Sequence, residues 1–141
     1  MNFEFSFSYE IDHIGIAVES LDEGQKIYKA LGLTVASVEE VVTEKVRVAM
    51  IPVKNQANIE LLEPLSEDSP IAIFLKKRGP GVHHLCLRVD DIKPVVQKLK
   101  QSGVRLINEE PRPGAHGTQV VFIHPKSAGG VLLEISQPRS S

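Results

Sequence analysis

The sequence repeats itself, and this repeat constrains the fold more than any other feature. A histidine opens a short apolar segment at His13, and the same order of residues recurs at His84, 71 positions later (84 minus 13). Gly32 and Gly103, each predicted to end a helix, keep the same separation (103 minus 32). A chain with such a repeat is predicted to fold as two similar modules related by a pseudo-twofold axis.

Each repeat also closes with a similar apolar segment that carries a glutamate. Glu60 and Glu134 lie 74 positions apart (134 minus 60), and strand alternation places both, with His13 and His84, opposite the predicted core face. A lone strand histidine is more often structural, but four residues recurring in register favour a metal site. Imidazole and carboxylate ligands suit Co²⁺, Mn²⁺, Fe²⁺, Ni²⁺ or Zn²⁺ rather than Ca²⁺. We therefore predict that His13, Glu60, His84 and Glu134 hold a divalent metal.

The length predicts a single domain over residues 1–141, with modules at about 9–65 and 80–137. Two halves of this size would each be marginal alone, so a shared core is expected. The net charge of -2 argues against nucleic acid or an anionic membrane as the main partner and favours a small-molecule ligand.

Cysteine usage and apolar runs point to a cytoplasmic protein. Cys86 is the single cysteine, so an internal disulfide is excluded, and no apolar run approaches the roughly 18 residues of a membrane-spanning helix. The N-terminus lacks the basic start of a secretory signal. Residues 1–10 are interpreted either as a tail or as an extra edge strand.

Periodicity and turn residues predict the order βαβββ in each module. Strands are predicted at 11–18, 33–38, 46–53, 57–63, 82–89, 105–108, 118–124 and 130–136. Helices are predicted from the Ser20 capping box to Leu31, near 71–77, and from Asp90 or Asp91 to Gln101. Two such modules predict an α+β fold: an open, cupped sheet of eight strands with helices outside.

Alternation also assigns faces to the two histidine strands. The residues expected to face the core are Ile14, Ile16 and Val18 on the first strand, with His83, Leu85, Leu87 and Val89 on the fifth.

Several segments together carry a resemblance to a known family. They are Asp12–Val18, Ile59–Pro64, Asp68–Ala72, Gly81–His84, Gly114–Gly117 and His124–Glu134. With these segments the chain, from about Tyr9 to Gln137, resembles the vicinal-oxygen-chelate superfamily of paired βαβββ modules. The Ala-His-Gly and His-Pro-Lys-Ser loops make it similar, within that superfamily, to the methylmalonyl-CoA epimerases.

The resemblance implies interconversion of (R)- and (S)-methylmalonyl-CoA by abstraction of the C2 proton, through an enolate that a bound metal stabilises. It implies a CoA thioester substrate, a homodimer, and a divalent metal, with Co²⁺ first and Mn²⁺, Ni²⁺, Zn²⁺, Fe²⁺ or Mg²⁺ as alternatives.

An epimerase needs acid/base groups on both faces of the substrate carbon. Glu134 matches the family residue that is both near the metal and a candidate base. The family's other base is a third-strand glutamate, and the most direct alignment puts Arg47 there, where it could instead hold a substrate carboxylate. Glu44 supplies the second carboxylate after a small shift, or else Glu60, His116 or a metal-bound water serves the opposite face.

The matching loops imply further substrate contacts. His116 and Gly117 lie in one loop, and Lys126 and Ser127 lie in another that offers backbone donors and a cation to the malonyl carboxylate. The cations expected to meet the CoA phosphates are Lys76, Lys77 and Arg78.

Other functions of the superfamily remain open at this point. A glyoxalase I-type lyase would use the same four ligands on a glutathione hemithioacetal. A binding protein that sequesters a small molecule needs no metal ligands, and an extradiol dioxygenase keeps three of them in a longer chain.

Overall fold

The computed structural model describes residues 7–140, and within them eight strands form one mixed sheet. The strands are β1 Glu10–Ala17, β2 Ser37–Val41, β3 Val46–Ile51, β4 Asn58–Pro64, β5 Gly81–Arg88, β6 Arg112–Pro113, β7 Gln119–Ile123 and β8 Leu133–Gln137. Their order, β2-β3-β4-β1-β5-β8-β7-β6, joins the two modules through the antiparallel pair β1–β5. The sheet curls into a half-barrel, which confirms the predicted α+β cup.

Four α-helices accompany the sheet in the described part of the chain. They are α1 Leu21–Gly24, α2 Lys26–Ala30, α3 Pro70–Arg78 and α4 Ile92–Gln101. Side chains cap three of them: Ser20 accepts from the Glu23 backbone N–H, Ser69 from Ile71 and Asp91 from Lys93. The single helix predicted after Ser20 is two short helices instead. The Glu23 carboxylate pairs with Lys26.

The register of the central strands displays the pseudo-twofold axis. Ile14 pairs with Leu85, 71 positions away, so this pair is equivalent to itself and marks the axis. On either side of it, His13 pairs with Cys86 and Gly15 with His84, and the offset of 71 converts one pair into the other. The predicted relation between modules therefore holds at the level of single residues.

The flanking strands repeat this symmetry. β4 runs parallel to β1 with Glu60 beside Gly15, and β8 runs parallel to β5 with Glu134 beside Cys86. Both glutamates consequently stand at equivalent ladder positions next to the histidine strands.

Apolar packing occurs on both faces of the sheet. One buried cluster lies beneath α4 and includes Val95, Val121 and Ile135. Another, around Leu61, packs against Leu21 and Tyr28 from the α1–α2 region. The third lies on the cavity side, under α3; its buried members are Ala17, Val41, Val46, Val48, Leu62, Ile71 and Leu75. The helices thus brace the sheet while α3 closes one side of the cup.

The core face predicted for the first strand is confirmed at two of its three residues. Val18 is buried in the Leu61 cluster and Ile16 packs against that cluster, whereas Ile14 is 37% exposed. The opposite face, with His13 and Ala17, is buried as well, because the sheet curls around it and α3 closes its side. Leu87 on β5 and Val89 just after it pack against the α4 cluster, as predicted.

Two predicted strands differ in the structure: one begins later, and the other is reduced to a single bridge. β2 begins at Ser37, because the preceding segment packs Leu33 and Val35 against the α1–α2 cluster. The strand predicted at 105–108 is reduced to a single bridge at Leu106, since Asn108 replaces regular pairing: its side chain accepts from the Phe122 N–H (2.8 Å) and donates to the Val120 carbonyl (3.0 Å).

The prediction of a tail or an extra edge strand at residues 1–10 can be compared with the structure only from residue 7 onward. β1 begins at Glu10, and Phe7 and Tyr9 stack edge to face just before it, whereas residues 1–6 lie outside the described residues. Among residues 7–140, no helix has the length and apolar character needed to span a bilayer.

Candidate active site

Three predicted ligands converge at the centre of the cup. The Nε2 atoms of His13 and His84 lie 2.9 Å apart, and Glu134 Oε1 lies 3.2 Å from the first and 3.0 Å from the second. All three side chains are buried, and they come from the adjacent strands β1, β5 and β8. Two imidazole nitrogens and a carboxylate oxygen lie within 4.8 Å of one another, so these three residues could hold a divalent metal ion.

Neighbouring residues fix the two imidazole rings. His13 Nδ1 lies 2.7 Å from Asp12 Oδ2, which turns Nε2 toward the cluster, the arrangement common behind metal-bound histidines. His84 lies directly over Gly15, where a Cβ atom would stand 2.2 Å from its Cε1. Gly15 is therefore a cradle for the ring, and the donor set fits a metal ion.

Glu60 is buried but lies outside this three-residue cluster. Its Oε2 is 3.4 Å from His13 Nδ1, on the side of the ring away from His84 and Glu134. Burial raises the pKa of Glu60 to about 7, against the opposing effect of the charge on His13. The structure thus brings together three of the four predicted ligands and places the fourth beside them.

Hydrogen bonds outweigh burial in setting the pKa values of His13 and Glu134. Burial alone would lower the pKa of His13, but its bonds to Asp12, Cys86 and Glu134 raise it well above its ordinary value. Burial would raise the pKa of Glu134, but the two imidazoles hold it below its ordinary range. Glu134 is consequently a carboxylate, the form in which it binds a cation.

A cavity of about 280 Å³ opens above the cluster. Its walls are largely apolar and include Val41, Val46, Val48, Met50, Leu62, Ile71, Val120 and Phe122. Glu44 and His116 are polar members of the same wall. An apolar enclosure strengthens electrostatic interactions at the cluster, because few waters screen them.

Glu44 and His116, two predicted residues that line the cavity, are both held by the opposite module. Glu44 makes a two-point ion pair with Arg112, Oε2 to Nε at 2.6 Å and Oε1 to Nη2 at 3.0 Å. The backbone N–H of His116 donates to Glu39 Oε1 at 2.9 Å.

The other predicted substrate residues lie away from this cavity. The Arg47 guanidinium binds Glu40 and Glu63 on the outer face of β3, away from the cavity that its predicted role requires. Gly117 lies beneath Arg139. Lys126 and Ser127, in the turn after His124, also lie outside the cavity wall. The Lys126 N–H donates to His124 Nδ1, and the Ser127 hydroxyl accepts from the Arg105 N–H.

A second cavity, of about 600 Å³, shares Pro70, His83 and His84 with the first. Lys77 and Arg78, two of the cations predicted to meet CoA phosphates, lie on its wall. Burial lowers the pKa of His83 to about 4, so its ring is neutral between the two cavities.

Sequence reasoning missed the residues that support the ligands. Asp12 precedes His13 directly, and an acid beside a predicted metal histidine was a usable signal. The partnership of Arg112 with Glu44 had no such signal, because 68 positions separate the two residues.

Comparison with known proteins agrees with this geometry. Residues 12–122 match the family model of the glyoxalase/bleomycin resistance protein/dioxygenase superfamily. The human mitochondrial methylmalonyl-CoA epimerase is 42% identical over 129 residues, covering 90% of this chain and 73% of the relative. The ethylmalonyl-CoA/methylmalonyl-CoA epimerase of Cereibacter sphaeroides is 41% identical over 130 residues, covering 90% and 96%.

Solved structures extend the similarity to the whole fold. A methylmalonyl-CoA epimerase in complex with methylmalonyl-CoA and NH4+ superposes with a TM-score of 0.89 at 36% identity, covering 94% of this chain and 96% of that one.

Proposed function

The chain belongs to the glyoxalase/bleomycin resistance protein/dioxygenase superfamily and, within it, to the methylmalonyl-CoA epimerase family, and on this premise we propose that it interconverts (R)- and (S)-methylmalonyl-CoA. The observation that carries the proposal is the buried cluster of His13, His84 and Glu134 in a cavity that holds a second carboxylate, Glu44. A carbon acid needs this combination: a site for developing negative charge and proton-transfer groups around it.

His13, His84 and Glu134 would hold a divalent metal, with Co²⁺ the first candidate and Mn²⁺, Ni²⁺, Zn²⁺, Fe²⁺ or Mg²⁺ as alternatives. Bound there, the metal would supply positive charge that stabilises an enolate. Glu60, beside His13, is the candidate fourth ligand. Metal analysis of the purified protein, before and after EDTA treatment, tests this part of the proposal.

The protein's own groups would move the proton. Glu134 is the base on one face of C2, since the imidazoles keep it ionised. Glu44, which lines the same cavity, is the acid/base group proposed for the opposite face, and His116 lines that cavity too. The apolar wall would exclude bulk water, which protects the enolate from uncontrolled protonation.

The coenzyme would extend from the first cavity into the second. The two cavities meet at Pro70, His83 and His84, and Lys77 and Arg78 supply positive charge on the far wall. Binding of CoA phosphates there, together with Lys76, predicts that charge removal raises KM without changing kcat. The contacts of Gly117, Lys126 and Ser127 with the malonyl carboxylate stay predictions, since none of these residues lies on the first cavity wall.

A proton NMR time course of methylmalonyl-CoA in D₂O tests the activity, using protein stripped with EDTA and then reloaded with Co²⁺. Loss of the C2 proton signal in the reloaded sample alone is expected. If no divalent metal restores exchange, the epimerase proposal is wrong. The next substrate is then the methylglyoxal–glutathione adduct, because a glyoxalase I-type lyase would use the same cluster.

We also propose that the protein is a homodimer, as its resemblance to the methylmalonyl-CoA epimerases implies. Light scattering should give the dimer mass; a monomeric parent protein at micromolar concentration refutes this. The cytoplasmic location stays a prediction, which cell fractionation can check.

A further inference from the structure

The two outermost strands of the curled sheet are joined by side chains. β2 and β6 are the opposite ends of the strand order, yet residues that follow or flank them meet. Thr43 Oγ1 donates to the Pro113 carbonyl at 3.0 Å, and Glu44 pairs with Arg112. Of these four residues, Glu44 lines the cavity that also contains the cluster of His13, His84 and Glu134.

The Glu44–Arg112 pair is a close, partly buried ion pair. Arg112 Nη2 donates a hydrogen bond to Glu44 Oε1 at 3.0 Å, and Arg112 Nε lies 2.6 Å from Glu44 Oε2 as a second charge contact. The Glu44 side chain is only 17% exposed, and it lines the cavity. A lysine at the same place could offer charge through one nitrogen but not two contacts from a planar group.

Arg112 is itself fixed relative to the metal cluster. Its guanidinium carbon lies 5.5 Å from the centre of the Phe122 ring, and that ring stands edge to face with His84, with 6.2 Å between centres. Its backbone pairs with Val120. Two aromatic contacts, Arg112 on Phe122 and Phe122 on His84, therefore connect the residue that holds Glu44 to His84 of the cluster.

We propose that Arg112 is a positioning residue, which holds the Glu44 carboxylate where it exchanges a proton with the face of C2 opposite Glu134. This inference rests on the proposed epimerase activity. In one direction Glu134 removes the C2 proton and Glu44 delivers one to the other face of the enolate; in the reverse direction the two groups exchange roles. Arg112 touches neither substrate nor proton in this account.

The two-faced chemistry gives a test that a merely structural ion pair would not satisfy. The exchange of the C2 proton in D₂O is measured separately for each epimer, because each epimer presents its proton to a different carboxylate. Arg112→Gln is expected to slow exchange from one epimer at least 30-fold and leave the other within threefold. Glu44→Gln should affect the same epimer, and the double variant should be no slower than Glu44→Gln alone.

Matched variants separate charge from geometry. Arg112→Lys keeps the charge and loses one of the two nitrogen contacts with Glu44, so it should recover only part of the rate, at unchanged KM. Arg47→Gln removes an arginine that also binds two carboxylates but lies on the outer face, and it should leave both exchange rates unchanged.

The outcomes separate the two proposals. Equal slowing of both epimers by Arg112→Gln, or additive slowing in the double variant, overturns the positioning role while leaving the activity intact. Absence of exchange in the unaltered, metal-loaded protein overturns the proposed function instead.

Discussion

Gly15→Ala is the sharpest test of the proposed metal centre, because the substitution adds one methyl group directly beneath His84, one of the proposed ligands. The new Cβ would stand 2.2 Å from His84 Cε1, 2.5 Å from Nδ1 and 2.8 Å from Nε2. Relief to the 3.4 Å of an ordinary contact requires the ring or the strand to move by about 1.2 Å (3.4 minus 2.2). Metal–ligand distances tolerate roughly 0.2 Å, so His84 should no longer bind together with His13 and Glu134.

The affinity for Co²⁺ should consequently fall more than about 100-fold, since changes in residues that merely support ligands already cost 10- to 100-fold. Overpacking should also lower the free energy of unfolding of the metal-free protein by about 1–3 kcal/mol. Titration against a chromophoric chelator measures the first effect and urea unfolding the second. The control is Gly81→Ala on β5, because a Cβ there meets no atom within 4 Å. Binding by Gly15→Ala within threefold of the parent protein would refute the reasoning.

Three further outcomes follow from other buried groups. Burial raises the pKa of Glu60 from 4.5 to about 7. Between these pH values the folded, metal-free protein keeps a proton on Glu60 that the unfolded chain has released. The free energy of unfolding should therefore fall by roughly 3 kcal/mol as the pH rises from 4.5 to 7. Urea unfolding of Glu60→Gln at pH 5 and 8 should lack this decrease, and an unchanged decrease would assign it to another group. Glu134→Gln removes both a ligand and a base, so isothermal titration should show weaker Co²⁺ binding and NMR should show at least 100-fold slower exchange; near-normal exchange would exclude Glu134 as the base. Ser69→Ala removes the buried cap of α3 and should cost about 1 kcal/mol in urea unfolding, whereas no loss would mean that water replaces the hydroxyl.

Most of the correct predictions about the fold and the candidate site came from the sequence repeat. An offset of 71 between His13 and His84 requires equivalent positions, and the pairs His13–Cys86 and Gly15–His84 show that equivalence in the β1–β5 ladder. The fold and the three converging ligands follow from it, because a twofold axis through adjacent strands brings equivalent side chains together.

Local patterns failed where tertiary contacts decide. Alternation separates the two faces of β1 but does not show that both are covered: Ile16 and Val18 pack against the Leu61 cluster, while curling of the sheet also buries His13 on the opposite face. The ion pairs of Arg47 could not be predicted from the sequence either, since its partners Glu40 and Glu63 lie on two different neighbouring strands. Long-range partnerships of this kind leave no mark on local periodicity.

The functional asymmetry of the site arises where the repeat is broken. Residues 15 and 86 are equivalent about the axis, but one is glycine and the other a buried cysteine. His84 can therefore lie over bare backbone, while His13 stands beside a side chain, and the two rings meet at 86°. Glu134 then joins both Nε2 atoms, whereas its equivalent Glu60 is left at the far side of His13 with a raised pKa. The difference between residues 15 and 86 therefore places two equivalent carboxylates in different environments, since Glu134 lies between two imidazoles and Glu60 beside one.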